Sequence, residues 1–192
     1  MNWFSFFSYV AVATFTPGPN NLSSMSHAIR YGLAQTLHYR LGILCGFFTV
    51  QLLAALSSAA LLNFIPAARP YMLFLGAAYI LWMAWKTLTS HSDVQTSSAT
   101  EATFTAGVLL QFVNVKVIIY ALTVMSTFVL PYTRSVALLC AFAFGLAFTA
   151  FISVTLWAAF GALFSRILRR QERLLNVVMA LLLVYCAVSL YL

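Results

Sequence analysis

The order of apolar and polar residues divides this chain into six long apolar segments separated by short polar ones. A helix needs about 20 residues to cross a hydrocarbon layer of roughly 30 Å. The segments approach or exceed that length and lie at about 3–25, 41–62, 71–88, 104–126, 136–160 and 174–192. They lack the two-residue alternation of barrel strands, and a helix satisfies its own backbone groups in lipid. We therefore predict an all-α polytopic membrane protein with six transmembrane helices.

Composition agrees with this class. Apolar and aromatic residues make up 63% of the chain and charged residues 7%, against about 45–50% and about 25% in soluble domains. Ten Lys and Arg with three Asp and Glu are too few to cover a soluble globule. The basic residues lie in short segments between the apolar ones and form no continuous basic face, which excludes nucleic acid as a partner. No basic region precedes Trp3, so we predict that the first segment is not a cleaved signal peptide.

The basic residues orient the predicted helices. The first, third and fifth connections carry seven of them, and the second and fourth carry one each, Arg69 and Arg134. The seven are Arg30, Arg40, Lys86, Arg166, Arg169, Arg170 and Arg173. Because cytoplasmic loops are enriched in Lys and Arg, the odd connections should be cytoplasmic. Six crossings then leave both termini on the outer, periplasmic face.

A Ser/Thr-rich polar stretch divides the chain into two halves. We predict one transmembrane domain over 1–192, with a first repeat at about 1–89, a flexible linker at about 90–103 and a second repeat at about 104–192. Each half holds three crossings. Because three is an odd number, a structural repeat between the halves must be inverted in the membrane.

The strongest local motif is Thr-Pro-Gly-Pro-Asn-Asn at residues 16–21, inside the first segment. Pro17 and Pro19 have no N–H, so the helical partners of the Ala13 and Phe15 carbonyls are lost. Gly18 precedes a proline, which disfavours the helical conformation there. The first helix should therefore break at Pro17-Gly18-Pro19.

Such a break creates two kinds of ligand group. Asn20 or Asn21 can cap a helix that restarts after the prolines. The freed carbonyls suit an ammonium, and the new helix N-terminus suits a carboxylate. These are the two charged ends of an amino acid. The alternative is a kink kept for packing alone, since Pro and Gly are common in membrane helices.

A lone cation occupies the interior of the fourth segment. Lys116 lies about twelve residues from either polar boundary, or about 18 Å at 1.5 Å per residue. An ionised lysine there costs at least about 2.5–3.5 kcal/mol on insertion scales, and no carboxylate is predicted inside the membrane. Its partner could be the anion of a substrate or the carbonyls freed by the broken first helix, or the lysine could be neutral part of the time. If transport is coupled to protons, Lys116 is the candidate for the titrating group.

The neighbours of this lysine set a geometric condition. In an unbroken helix Gln111 and Asn114 share one face, whereas Lys116 shares the other with Tyr120. Both faces can serve one pocket only if the helix is distorted near Val115. The sequence has no proline there to force the distortion.

Other features are less specific. Gly42 and Gly46 form a small-residue seam in the second segment, which is typical of helix packing. Gln51, in the same segment, could bond to a ligand or to a neighbouring helix, and the sequence favours neither. His27, His38 and His91 are placed in solvated connections. The three cysteines, Cys45, Cys140 and Cys186, lie in apolar stretches with no metal or disulfide spacing, so no metal or other cofactor is expected.

These motifs resemble those of the LysE/RhtB family of amino-acid exporters. The resemblance rests on residues 16–21, on six apolar segments in 192 residues, and on Asn114-Val115-Lys116. Further matching stretches are 76–80, 84–86, 110–116, 126–131 and 181–187. Many family members have Asn-Pro-Lys where this chain has Asn-Val-Lys, so the resemblance leaves a break of the fourth helix open.

The resemblance implies a function and a fold. The expected function is proton-driven export of small amino acids, of the cysteine and O-acetylserine kind, from the bacterial cytoplasm across the inner membrane. The expected fold is two inverted three-helix repeats. Alternatives are export of other neutral or basic amino acids, a channel, or a membrane thiol-redox carrier. A homo-oligomer in the lipid bilayer is left open, and an enzyme is not expected because no His or acid is placed inside the membrane to act as a base.

The residues expected to form the substrate pathway come from both leading helices. They are Pro17, Gly18, Pro19, Asn20, Asn21, Gln111, Asn114, Lys116 and Tyr120.

Overall fold

The computed structural model describes residues 2–89, 102–164 and 172–189. Within these ranges the chain is helical, with turns and no strand. The elements are α1 (Trp3–Phe15), α2 (Pro19–Tyr31), α3 (Leu37–Thr89), α4 (Phe104–Val113), α5 (Val115–Thr123), a π-helical segment (Val124–Val129), α6 (Val136–Leu163) and α7 (Glu172–Ser189). Most of the predicted linker, 90–101, lies outside the described residues.

Two helices in the described part of the chain are long and apolar enough to cross a membrane. They are the first part of α3, Leu37–Leu56, and α6, Val136–Leu163. A third candidate is the run from α4 through the π-helical segment, which is bent by 65° between α4 and α5. Helix α1 is apolar but has 13 residues, or about 20 Å. It therefore needs α2 to reach the length of a span.

The helical run at the N-terminus is interrupted at the Pro-Gly-Pro motif. Helix α1 ends at Phe15, and α2 begins at Pro19. Gly18 is fully extended, with φ −174° and ψ 172°, and it is the N-cap of α2. Proline is well suited to the first helical position because its missing N–H would have no helical partner there. The two prolines thus end one helix and start the next.

Helix α3 differs from the prediction of two helices joined by a connection around Arg69. Its backbone is helical from Leu37 to Thr89, through Pro66 and Pro70. Its course must nevertheless reverse. Near its start, Tyr39 bonds to Ser23 of α2. Near its end, Ala77, Ile80 and Ala84 share an apolar cluster with Leu22, Met25 and Ile29 of α2 and with Ala180, Leu183 and Ala187 of α7.

Length makes the reversal necessary. A straight helix would separate Tyr39 from Ile80 by about 60 Å at 1.5 Å per residue, whereas α2 is only about 20 Å long. Both ends of α3 are tied to α2, so the helix bends back between Leu56 and Ala77. Proline is the commonest cause of a sharp helix kink. The sequence did not predict that this connection would be helical, and the change of direction lies where the connection was predicted.

Helices α3 and α4 pack closely and run in parallel. A Cβ atom on Gly42 would collide with the carbonyl of Phe104, and one on Gly46 would lie 2.8 Å from the carbonyl oxygen of Val108. A Cβ on Gly107 of α4 would collide with the carbonyl of Tyr39. From Gly42 beside Phe104 to Gly46 beside Val108, and on to Phe47 beside Tyr120 of α5, the contacts advance in the same direction along both segments, which indicates that they run in parallel. The predicted packing role of Gly42 and Gly46 is confirmed.

Two polar residues lie in helices where connections were predicted. His27 is inside α2, with its ring 4.7 Å from that of Tyr39, and His38 is in the first turn of α3. Arg40 is also in α3 and is only 4% exposed. It donates to Thr155 Oγ1 (2.9 Å) and to the Leu33 carbonyl (2.7 Å). Arg40 therefore links α3 to α6 and is not a solvated loop residue. His91 lies outside the described residues.

Candidate functional site

Side chains satisfy the carbonyls left without helical partners at the end of α1. Two of these side chains come from α6: Ser153 Oγ donates to the Thr14 carbonyl (3.0 Å) and Trp157 Nε1 to the Phe15 carbonyl (3.2 Å). Thr16 Oγ1 lies 3.4 Å from the Ala13 carbonyl. Both carbonyls predicted to lose helical partners, those of Ala13 and Phe15, thus have side-chain partners, and α6 fixes the end of α1.

Asn21 turns back toward the same carbonyls. Its Nδ2 donates to the Thr14 carbonyl (3.0 Å) and to the Thr16 carbonyl (2.9 Å), and its Oδ1 accepts from Ser153 Oγ (3.2 Å). Neither Asn21 nor Asn20 caps α2, because the helix already begins at Pro19 and both asparagines lie inside its first turn. The prediction of an asparagine cap was wrong. These amides link the two sides of the break to each other and to other helices.

Lys116 reaches the break from α5. Its Nζ lies 3.0 Å from Thr16 Oγ1, 3.3 Å from the Thr16 carbonyl and 3.3 Å from the Pro17 carbonyl. Two partners were considered from the sequence, a substrate anion and the carbonyls at the break of the first helix. The structure places the lysine Nζ at the carbonyls. The approach depends on Gly18, because a Cβ there would lie 3.0 Å from Nζ and 3.1 Å from Cδ of the lysine.

The fourth apolar segment breaks at Asn114. This residue ends α4 and precedes α5, with φ −82° and ψ 95°. Its carbonyl accepts from the N–H groups of Val117 (2.9 Å) and Ile118 (3.1 Å), so α5 starts on it. The break is the distortion that the helix faces required, and it occurs without a proline. Gln111 and Lys116, predicted on opposite faces of a straight helix, both reach the break between α1 and α2.

Three amides join the two broken segments. Asn20 and Gln111 form a reciprocal pair, with Nδ2 to Oε1 at 2.8 Å and Nε2 to Oδ1 at 3.1 Å. Asn114 Nδ2 adds a third bond to Asn20 Oδ1 (3.0 Å). Gln111 is 0% exposed and also donates to the Gly107 carbonyl. A buried amide that keeps its hydrogen bonds fixes helix positions, because breaking any bond leaves a buried polar atom unsatisfied.

A small cavity of about 40 Å³ lies where the two breaks meet. A water needs roughly 10–15 Å³ of such volume, so the cavity has room for about two to four waters, which is less than an amino acid requires. Its walls come from α1, the two breaks, α3, α5 and α6: Ala13, Thr14, Gly18, Pro19, Asn20, Asn21, Phe47, Asn114, Lys116, Val117, Tyr120, Ala150 and Val154.

Three buried polar atoms on the cavity wall make no hydrogen bond. They are Thr14 Oγ1, Asn114 Oδ1 and Tyr120 Oη. The hydroxyls of Thr14 and Tyr120 are neighbours in this wall. Buried polar groups normally have partners. Two hydroxyls and one amide oxygen are therefore available to a polar molecule in the cavity.

Aromatic rings close the side of the cavity away from α2. Tyr120 stacks on Tyr9 at a centroid distance of 5.9 Å and an interplanar angle of 9°, and its ring lies 5.6 Å from that of Phe47. Tyr9 in turn lies 5.9 Å from Phe128. A solute that leaves the cavity in this direction must displace this group, which we call the aromatic barrier (Tyr9, Phe47, Tyr120 and Phe128).

Comparison with known proteins identifies the family to which this chain belongs. The model of the LysE type translocator family matches residues 11–192. The chain belongs to the LysE type translocator family. It is 41% identical over 187 residues to proteins named cysteine/O-acetylserine efflux protein from Escherichia coli (strain K12), Escherichia coli O9:H4 (strain HS) and Shigella sonnei (strain Ss046). Each alignment covers 97% of this chain and 96% of the relative. No solved structure matches the chain significantly.

Seven of the nine residues predicted for the pathway line the cavity of this translocator. They are Gly18, Pro19, Asn20, Asn21, Asn114, Lys116 and Tyr120. The other two contact the lining residues: Gln111 bonds to Asn20, and the Pro17 carbonyl bonds to Lys116. The predicted residues thus form one structural unit, and their substrate-binding role remains a prediction.

The sequence did not indicate what α3 and α6 contribute to this translocator. Phe47, Ala150 and Val154 line the cavity, and Ser153 and Trp157 hold the carbonyls of α1. Their small and aromatic side chains do not stand out from the other residues of an apolar helix. A signal could have come from Ser153, which is a polar residue inside the fifth apolar segment. The described residues contain no group of three or more His, Cys, Asp or Glu that could hold a metal ion.

Proposed function

We propose that this translocator exports small amino acids, of the cysteine and O-acetylserine kind, from the cytoplasm in exchange for protons. The names of the 41%-identical relatives support the substrate class and the direction. The observation that carries the proposal is the position of the Lys116 ammonium on the carbonyls of Thr16 and Pro17. A cationic group already occupies the place where the ammonium of an amino acid would bind.

The same position suggests how the substrate is recognised. When the ammonium of the amino acid takes the carbonyls of Thr16 and Pro17, the lysine is displaced and becomes the natural partner of the carboxylate. The first-turn N–H groups of α2 add a helix N-terminus, which favours negative charge. Asn114 Oδ1 and Thr14 Oγ1, which make no hydrogen bond in the cavity wall, accept from the ammonium. The site recognises the zwitterion and leaves little room for a large side chain.

Proton exchange follows from the alternatives open to the displaced lysine. A lysine that loses its carbonyl partners can release a proton inside the membrane, whereas an arginine remains charged. We propose that Lys116 is protonated when it rests on the carbonyls and releases its proton during the cycle. A Lys116→Arg variant should bind substrate and lose the dependence of transport on a pH gradient. Full proton-coupled exchange by this variant would refute the role of Lys116.

The membrane topology is part of the proposal. The first part of α3 (Leu37–Leu56) runs parallel to α4. The later part of α3 would then cross the membrane in the opposite direction, as the third of six spans. Each half starts with a broken segment, and the two breaks meet through Lys116 and Thr16. This arrangement supports two inverted three-helix repeats. Without the buried Arg40, the odd connections still carry six basic residues against two in the even ones. This excess favours periplasmic termini in a bacterial inner membrane.

Orientation has its own test. A phosphatase fused to residue 192 should be active on the periplasmic face, and a reporter that works only in the cytoplasm should be inactive there. The opposite result would overturn the topology and leave the transport proposal to be tested separately.

Transport is tested with inverted membrane vesicles, in which export becomes uptake. We expect uptake of cysteine and O-acetylserine to exceed that of threonine and lysine and to fall when the pH gradient is removed. Uptake that is independent of the gradient for all four would contradict proton-driven export.

Proteoliposomes separate a carrier from a channel and from a thiol-redox carrier. A carrier shows saturation and counterflow of labelled substrate. Replacing Cys45, Cys140 and Cys186 together with serine should leave counterflow intact, whereas a redox carrier would lose its activity.

A further inference from the structure

Gln51 is a buried amide in α3 that makes no hydrogen bond. Its side chain is 0% exposed, and neither Nε2 nor Oε1 has a partner. Gln111 is equally buried, yet both of its amide atoms are bonded. An unpartnered amide inside a membrane protein destabilises the fold, and polar residues at such depth usually mark functional sites. The two glutamines are thus equally buried, but only the amide of Gln111 has hydrogen-bond partners.

The place of Gln51 in the fold is defined by its helix. Along α3, Tyr39 bonds to Ser23 of α2 and Phe47 lines the cavity. Gln51 follows Phe47 by one helical turn on the same face, about 6 Å further along the axis. Because α3 passes from α2 to the cavity and onward, Gln51 lies past the aromatic barrier, on the side away from α2.

Its surroundings are apolar. Phe47, Val50, Ala54 and Ala55 of α3 belong to the cluster that joins α1, α5, the π-helical segment and α6. An amino acid that crosses the aromatic barrier would enter this cluster with both charges unsolvated unless a polar side chain received it. A glutamine amide suits that task, because its N–H groups bond a carboxylate and its oxygen bonds an ammonium.

We propose that Gln51 is a second binding position for the amino-acid zwitterion, on the outer half of the pathway. The proposal rests on the transport function proposed above. The substrate leaves the carbonyls of Thr16 and Pro17, passes the displaced rings of Phe47 and Tyr120, and is received by the Gln51 amide. Without substrate that amide is left unsatisfied, and the bound substrate satisfies it during passage.

The test compares stability with transport. Gln51→Met keeps the length of the side chain and removes only its polar atoms, and Gln51→Leu is a second variant in case methionine packs poorly. We expect the melting temperature of the purified protein to stay the same or rise, because no hydrogen bond is lost. Counterflow of labelled O-acetylserine should fall by about tenfold or more, the equivalent of one hydrogen bond to a charged group, while its binding affinity changes by less than about twofold.

Two controls make the comparison specific. Gln111→Met removes an amide that has partners, so it should lower the melting temperature as well as transport. Thr49→Val removes a hydroxyl that bonds only within its own helix, to the Cys45 carbonyl, and should leave counterflow unchanged.

The outcomes decide the proposal. A Gln51→Met protein that transports at the wild-type rate would overturn it. A clear fall in the melting temperature of both Gln51 variants would show a structural partner and would also overturn it. If the wild-type protein transports none of the tested amino acids, the transport proposal itself has failed, and that result is separate from any difference between the variants.

Discussion

Gly18→Ala tests whether the rest position of Lys116 matters for transport. The substitution adds one methyl group at the break. Gly18 has φ −174° and ψ 172°, an extended conformation that any residue adopts, so alanine brings no backbone strain. Its Cβ would lie 3.0 Å from Nζ and 3.1 Å from Cδ of Lys116. The lysine must move by a few tenths of an ångström, and the rest of the fold need not change.

The size of the effect of Gly18→Ala follows from the hydrogen bonds that the Lys116 ammonium would lose. Two acceptors of the ammonium, the Thr16 and Pro17 carbonyls, are already 3.3 Å away, near the upper limit of a hydrogen bond. A shift away from Gly18 breaks one or two of these bonds, each of which contributes about 1.5–3 kcal/mol when the donor is charged. Losing one bond reduces the occupancy of the rest position by about 10- to 150-fold, since 1.4 kcal/mol corresponds to a factor of ten.

The assay is counterflow of O-acetylserine in proteoliposomes, with the melting temperature measured on the same preparation. We expect the melting temperature to change little, because the clash is with the flexible end of a side chain, and the dependence of transport on external pH to shift. Gly145→Ala is the matched control, since a Cβ there meets nothing within 4 Å. Wild-type transport with an unchanged pH profile in Gly18→Ala would refute the importance of the lysine contact.

Three further predictions concern the interfaces around the site. Gly107→Ala should destabilise the protein by about 1–3 kcal/mol or more through overpacking against α3. Gly145→Ala should be neutral or stabilise the protein by up to about 1 kcal/mol through helix propensity. Thermal unfolding in detergent measures both effects, and equal effects of the two variants would contradict the close packing of α3 on α4. Asn20→Leu and Gln111→Leu should be non-additive by about 0.5–3 kcal/mol in a double-mutant cycle of stability, and additive values would show that the amides do not act together. Trp157→Phe should destabilise by about 1–3 kcal/mol, because it leaves the last carbonyl of α1 without its donor, and an unchanged melting temperature would argue against that bond.

The break in the first segment could be predicted from the sequence because its cause is local. Pro17 and Pro19 impose it through their own ring chemistry. The break at Asn114 has no such cause, since its backbone angles suit most residues. At this break Asn114 donates to Asn20, 94 positions earlier in the chain. Local sequence does not reveal so distant a contact, so the sequence predicted only that the helix must be distorted if both of its faces serve one pocket.

The partners of Arg40 and Lys116 could not be predicted either, because they include residues from distant parts of the chain. Arg40 is basic and close to a connection, so charge counting placed it in solvent, but Thr155 and the Leu33 carbonyl hold it in the interior. The sequence also left three alternatives open for Lys116, a substrate anion, the carbonyls at the break, or a neutral lysine, without deciding among them. The choice depends on how near α5 approaches the break, and local sequence does not determine such distances.

The carbonyls at the end of α1 also constrain the order in which parts of the protein can fold. Their donors Lys116, Ser153 and Trp157 lie 100, 139 and 142 positions later in the chain than the groups they bond. During synthesis the N-terminal segment therefore enters the bilayer with carbonyls that its own half cannot fully satisfy. Folding of the first half must remain incomplete until α6 has been inserted. A chain that stops before α6 would expose unsatisfied backbone to lipid and should be a substrate for membrane quality-control proteases.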